Sequence, residues 1–330
     1  MIDLTHPEVA FAVEAVQKAS QLVRLVQRET VTSALTKGDK SPVTIADFAS
    51  QALVSQMLAN RFPQAVMVGE ESSAQLQTPD SADMLAQITG FVRRFVPDAS
   101  PDSVCEWIDL GSAESAPRFW TLDPIDGTKG FLRGDQYAVA FALVENGQVQ
   151  IGALGCPNLI NAYVPDHNGP GSLVLALRGQ GTWTTSLETP GEWARLRVSP
   201  TAVPSRARIM RSFEAGHTDA DKIDEFAAKL GTSAEPVRMD SQAKYAVMAA
   251  GQGEIILRLL SPKQPDYREK IWDQAAGSLI LEEAGGRISD LSGRPLDFTQ
   301  GRMLLNNRGV LASNGALHEA ALKALEEIGA

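Results

Sequence analysis

Two aspartates three residues apart frame the stretch "WTLDPIDGTKGFLRG", Trp120 to Gly134. Pro124 holds its own φ and disfavours helix at Asp123. The chain is therefore expected to turn there, so that Asp123 and Asp126 can point the same way. Gly127 allows close backbone approach to a ligand. Thr128 can cap the helix that follows, and the free amides at that helix start favour an anion such as a phosphate. Carboxylates beside a phosphate repel it unless a hard divalent cation lies between them. Magnesium suits such a place, because it takes oxygen ligands, keeps several waters and accepts substrate phosphate as a further ligand. Two such ions could activate water and stabilise a leaving oxygen. Taken alone, D-x-x-D-G-T is equally an ordinary turn with one capping and one solvated aspartate.

More acids fall at the ends of expected elements. Asp39 lies in a loop beside Gly38, Glu70 and Glu71 end a short strand, and Asp273 opens a helix after Lys270, Ile271 and Trp272. A rigid scaffold aims side chains best from such positions. Each also has a plain reading: a loop residue for Asp39, exposed strand-end charge for the Glu70–Glu71 pair, and helix-dipole charge for Asp273. Physical chemistry alone does not join the segments.

The elements that must position these acids can be read from period and punctuation. Val9, Val13, Val16, Val23 and Val26 share a face of a helix over about 7–28. Gly38 and Pro42 mark a loop, after which Thr44 and Asp47 form a near capping box that starts a helix running to about Ala59. "AVMVG" (65–69) and "RFWTL" (118–122) are strands, with a helix near 80–96 between them. "QYAVAFALVENGQVQIGAL" is a hairpin through Asn146-Gly147, and "GPGSLVLALRGQGTWT" is another. Beyond residue 200, strands at "ARIMRSF", "EIILRLL" and "GVLAS" alternate with helices at "DADKIDEFAAKLG", "DSQAKYAVMAAGQ", "WDQAAGSLILEEAGG" and the tail, as in an α/β half. The boundary is placed near 200: residues 1–200 form an N-terminal α+β half and 201–330 a C-terminal α/β half.

The bulk numbers narrow the function. With 44% hydrophobic residues and 21% charged, the 330-residue chain can bury a core. Forty acidic against 30 basic residues give a net charge of -10, with no basic footprint for nucleic acid or a membrane surface. An anionic substrate would then need local positive charge from metal, Lys or Arg. Cys105 and Cys156 make no C-x-x-C pair and the four histidines are scattered, which argues against zinc. No signal peptide or membrane-spanning run is evident, so a soluble cytoplasmic protein is expected.

Taken in order, "GEE" (69–71), "DPIDGT" (123–128) and "WDQAAGSLILEEAGG" (272–286) resemble the motifs of the magnesium-dependent, lithium-sensitive phosphatases related to inositol monophosphatase. "DKSPVTIAD", "DPIDGTKGFLRG", "DSQAKYAV" and "REKIWDQAAG" look like the 3'(2'),5'-bisphosphate nucleotidase branch, and "DGTKGF" stands where inositol monophosphatases usually read "DGTTNF". The resemblance runs from about residue 7 to the tail. It implies metal ligation by Glu70, Asp123, the Ile125 carbonyl, Asp126 and Asp273, with two or three magnesium ions per site. It implies that Asp39 and Thr128 orient and deprotonate the attacking water, and that the Gly127 and Thr128 amides hold the scissile phosphate. His217, Ser241, Lys244 and Arg258 fall where the branch holds its nucleotide. The residues themselves add that Ser241 and Lys244 are three apart at a helix start, hence on one face. They add too that Arg258, in an apolar strand, should meet a carboxylate or a phosphate.

The architecture so implied is an α/β, sugar-phosphatase-like αβαβα sandwich, with an antiparallel sheet in one half, a smaller, mostly parallel half, and the site between them. The implied reaction is in-line attack of a metal-activated water on the 3'-phosphate of adenosine 3',5'-bisphosphate, or of its sulfated relative, by a monomer or homodimer. An inositol phosphate substrate and a non-catalytic nucleotide- or metal-binding protein are the alternatives. Two segments depart from the pattern or stay unread: "LLSPKQPDY" (259–267) is slightly long, and Gln75–Asp102 carries no readable motif. Glu71 is expected beside the metal rather than on it.

Overall fold

The computed structural model describes residues 2–31, 41–213, 220–261 and 263–330. Helices come first: α1 (Pro7–Val26), extended by a π turn over Gln27–Val31, then α2 (Ser41–Arg61). Strand β1 (Met67–Gly69) leads to α3 (Ala82–Val92) and α4 (Pro101–Asp109). Next come β2 (Arg118–Asp126), the short α5 (Thr128–Arg133), β3 (Ala138–Glu145) and β4 (Gln148–Cys156). A small ribbon of β5 (Leu159–Ile160) and β6 (Val164–Pro165) precedes β7 (Ser172–Leu177), β8 (Gly181–Ser186) and β9 (Ala194–Leu196). Then follow β10 (Ile209–Arg211), α6 (Ala220–Leu230), β11 (Val237–Arg238), α7 (Ala243–Ala249) and β12 (Ile255–Arg258). The chain closes with α8 (Ala275–Glu283), β13 (Arg287–Ser289), β14 (Val310–Ser313) and α9 (His318–Glu327).

These elements stack in five layers. A seven-stranded sheet runs β1-β2-β3-β4-β7-β8-β9 and is antiparallel except for the β1–β2 pair. Helices α1 to α4 bury one face of it, where Trp120 stacks on Phe141 with centroids 4.7 Å apart and Phe11 meets both rings edge-on. The other face packs on α7 and α8, which in turn pack on a five-stranded sheet ordered β11-β10-β12-β14-β13. Helices α6 and α9 cover that second sheet from outside. The second sheet is mixed: β11, β10 and β12 run parallel, as the strand–helix alternation predicts, while β14 and β13 join antiparallel.

Several expected boundaries shift for local reasons. Helix α2 begins at Ser41, so Pro42 falls in its first turn, where a missing N–H costs nothing, and Thr44 and Asp47 lie inside the helix rather than at its cap. Helix α4 went unread, although Ser100 and Ser103 make a reciprocal cap around Pro101 at its start. Strand β2 does not stop at Leu122 but runs through Pro124 to Asp126. The Asn146-Gly147 hairpin is present, with φ of 49° and 76° at those residues. Helix α8 starts after Asp273, not on it. Its Ala275-Ala276-Gly277 start lets it lie against the sheet so closely that a Cβ on Gly152 would stand 2.7 Å from the Ala276 carbonyl oxygen. That approach brings Asp273 up to the end of β2.

Candidate active site

The geometry at "DPIDG" follows from strand alternation. Side chains three residues apart on a regular strand point to opposite faces. Between β2 and β3, Asp123 pairs with Ala140 and Asp126 with Ala138, so β2 holds one residue more than its partner. This one-residue bulge returns Asp126 to the face of Asp123, and Pro124 fits there because the ladder is already interrupted. Asp123 is buried and its Oδ1 has no hydrogen-bond partner. Burial first, and then the charges of Glu70, Asp126, Asp273 and Asp47, push its pKa well above the usual carboxylate range. Asp126 is raised by burial too, opposed by Lys244, Arg258 and the Gln242 N–H that donates to its Oδ2.

Glu70 arrives from the adjoining edge strand of the same sheet. β1 pairs with β2 in register Gly69–Leu122, which sets Glu70 level with Asp123. Glu70 keeps an exposed edge, yet the protein wraps enough of its carboxyl to push the pKa up to about 7. The Glu71 and Asp126 charges add to that rise, while a hydrogen bond with Asp123 and the Lys270 charge oppose it. The turn is held by Gln51 of α2, whose Oε1 accepts from the Glu71 N–H at 2.9 Å and whose Nε2 donates to the Glu71 carbonyl at 2.7 Å. Asp47, one turn earlier on α2, joins this crowd: burial, Glu71 and Glu70 raise its pKa well above the ordinary value. The near capping box of Thr44 and Asp47 hides this role in the sequence. The sign that could have found it was the lone acid of this helix, Asp47, standing past a first turn that already holds a proline. Asp39 lies outside the described residues.

Asp273 enters from the start of α8 and is pushed well above the carboxylate range by burial, Asp126 and Glu269, with Arg258 opposing. Gln242 ties it to the other segments: its Nε2 donates to the Trp272 carbonyl at 3.0 Å, its Oε1 accepts the Gly277 N–H at 3.1 Å, and its N–H reaches Asp126.

Opposite the acids stand two cations. Lys244 is buried, donates to Ser212 Oγ at 2.9 Å and makes no ion pair among the described residues. Burial and the neighbouring Arg258 lower its pKa to about 8. Arg258 finds the carboxylate expected of it: Glu269 accepts from its Nη2 at 3.0 Å and its Nε at 3.3 Å. Glu269 carries no role in the sequence motifs. Ser241 is not on the helix with Lys244. It precedes α7 in a left-handed conformation, φ 65°, but lines the same cleft. Gly127, φ 96°, lies so close to it that an added Cβ would stand 2.7 Å from Ser241 Cβ.

A cavity of about 250 Å³ therefore joins Asp126, Gly127, Thr128, Ser241, Lys244, Arg258 and Asp273, with Tyr267 from the "LLSPKQPDY" segment at its rim. Thr128 is exposed at the first position of α5, a helix of only six residues, so the loop amides rather than a long dipole must hold any anion. Ile125 is buried within the bulge, and His217 lies outside the described residues. Among the described residues no three acidic, His or Cys side chains are gathered closely enough to enclose an ion alone. The donor set nevertheless fits magnesium, which needs only one or two carboxylates beside water and substrate phosphate. The unpartnered Asp123 Oδ1 and the raised pKa values of Glu70, Asp123, Asp126 and Asp273 are what a cation would relieve.

The chain is 41% identical to a 3'(2'),5'-bisphosphate nucleotidase of Oryza sativa, covering 97% of this chain and 94% of that one. It is 40% identical to one of Schizosaccharomyces pombe, covering 96% and 94%. Among solved structures, Mycobacterium tuberculosis SuhB superposes with a TM-score of 0.62 over 97% of this chain and 95% of that chain, at 21% identity, which is a likeness of fold. The model of the inositol monophosphatase family matches residues 5–330, and the chain belongs to that family.

Proposed function

We propose that this phosphatase hydrolyses the 3'-phosphate of adenosine 3',5'-bisphosphate to give AMP and phosphate, and accepts the related sulfated nucleotide. The observation that carries the reading is a cleft in which Asp126 and Asp273 face an arginine and a buried lysine, Lys244, that makes no ion pair among the described residues. Such a cleft suits a substrate with two phosphate groups: one for the acids and their cation, one for Lys244. The names of relatives about 40% identical over nearly the whole chain favour a nucleotide over an inositol ester.

The inositol monophosphatase family is generally metal-dependent. Glu70, Asp123, the Ile125 carbonyl, Asp126 and Asp273 would hold two or three magnesium ions. When bound, magnesium supplies charge neutralisation for the phosphate and a lowered pKa for nearby water. The Gly127 and Thr128 amides hold the scissile phosphate against the bulge. Water oxygen bonds to phosphorus, the bond to O3' breaks, and O3' leaves with a proton. The Thr128 hydroxyl is a weak base at its free pKa and serves as a relay to a carboxylate, Asp39 or Asp47. Ser241, Lys244 and Arg258 orient the remainder of the nucleotide, with Arg258 held in place by Glu269.

Phosphate release from adenosine 3',5'-bisphosphate, inositol 1,4-bisphosphate and a small aryl phosphate, with and without magnesium, tests the reading. Magnesium-dependent turnover with preference for the nucleotide is expected. Cleavage of the inositol ester with the nucleotide left intact would overturn the substrate assignment. Nucleotide binding without any phosphate release would make the chain a binding protein.

A further inference from the structure

Arg302 lies between β13 and β14, far in sequence from both carboxylate-bearing turns, yet it touches the residue before each of two acids. Its Nη2 donates to the carbonyl of Gly69, whose next residue is Glu70. Its Nη1 donates to the carbonyls of Gly111 and Ala113 at 3.1 and 3.2 Å. Its guanidinium carbon stands 4.9 Å from the ring centroid of Trp272, whose next residue is Asp273. The main chain repeats the tie: the Ile271 N–H donates to the Arg302 carbonyl at 3.2 Å, and Lys270 bridges Met303.

β1 gives this arrangement its purpose. It is three residues long and sits at the edge of the seven-stranded sheet. Its free side pairs with the turn at 111–113, through the Gly69 N–H to the Gly111 carbonyl at 2.8 Å and a bridge from Val68 to Ser112. Arg302 locks that cover, the strand end and the Trp272 turn together. Among the described residues it makes no salt bridge; its guanidinium donates to backbone carbonyls, while the charges of Glu114 and Glu70 favour its protonated form from a greater distance.

We propose that Arg302 is a positioning residue that fixes the separation of Glu70 and Asp273 and so sets the affinity of the site for its divalent cation. The inference rests on the metal-dependent reading given above. The planar fork and the stacked face are both needed, and a lysine offers neither.

The test is Mn²⁺ binding, followed by the electron paramagnetic resonance signal of the free ion, on the parent, R302K and R302A. It is joined to kcat and KM for the nucleotide across a magnesium titration. R302K should stay folded and bind Mn²⁺ about 10- to 100-fold more weakly, as outer partners of metal ligands usually do. Its kcat should fall at low magnesium and recover at high magnesium, with KM for the nucleotide unchanged, a rescue that a general loss of stability does not produce. If R302A fails to fold, R302K decides alone. Parent-like Mn²⁺ affinity in folded R302K overturns the proposal whatever its melting temperature. A parent that binds no Mn²⁺ overturns the metal reading itself, and the proposal with it.

Discussion

Asp47 and Asp39 compete for one task at the scale of the single residue. The resemblance to known phosphatases assigned the proton-accepting role to Asp39. Asp47 is the acid that stands with Glu70, Glu71 and Asp123, and its charge in turn raises Asp123. We expect D47N to lower kcat for phosphate release by about 10²–10⁴, the usual span for a lost general base, and D39N to cost far less. Steady-state assays at saturating magnesium decide it, and the opposite ranking would return the role to Asp39. Residue type alone did not single out Asp47, because its company is brought to it by β1 and β2.

At the scale of elements, the site depends on two backbone irregularities. The bulge in β2 turns Asp126 onto the face of Asp123, and Gly127 then lets the Ser241 loop approach. Pro124 and Gly127 were legible as breakers in "DPIDGT". The one-residue slip was not, because it exists only relative to the register of β3. G127A places a methyl 2.7 Å from Ser241 Cβ at a φ of 96°, a strain of about 1–3 kcal/mol. Its kcat/KM should drop at least about tenfold, on the scale of 1.4 kcal/mol per decade, with a melting temperature a few degrees lower. Unchanged kcat/KM would mean that the approach of the two loops is not needed for substrate. The short α7 makes the same point in reverse. Periodicity expected a helix from Asp240, but Ser241 is left-handed, and the seven-residue helix starts only at Ala243.

At the scale of the whole molecule, the outermost layer offers a pH test. His318 opens α9 and is completely buried under the second sheet. Ser289 Oγ, which donates to the Asp290 carbonyl, stands 3.0 Å from Nε2, and Ser313 Oγ stands 2.8 Å from Nδ1. This network suits a neutral ring with its proton on Nε2. Burial, followed by the Arg287 charge, lowers the pKa from 6.5 to about 4, and Glu319 opposes. The folded pKa is below the unfolded one, so the unfolded chain binds the extra proton between them. The stabilisation is therefore complete above about pH 6.5 and is lost as pH falls toward 4, by about 3 kcal/mol at most. Denaturant titrations of the parent should show that slope, and H318Q should flatten it. An unchanged slope in the variant would assign the acid sensitivity to the carboxylates instead. No helix among the described residues is long and apolar enough to cross a membrane.

The sequence by itself determined the elements with strong periods, the Asn146-Gly147 hairpin, the layered α/β class and the identity of most acids in the cleft. Those are local facts: hydrophobic spacing, turn chemistry and residue type are written along the chain. The motifs also carried the family, because several short patterns in fixed order are far more specific than any one. Only the tertiary structure decided which acids stand together, that Arg258 is held by Glu269, that the last two strands enter the second sheet antiparallel, and that Arg302 ties two distant turns. Each of these depends on strand register or on contacts between segments remote in sequence. Burial and the fields of neighbouring charges, which raise Glu70, Asp47, Asp123 and Asp273 together, exist only once the layers have packed.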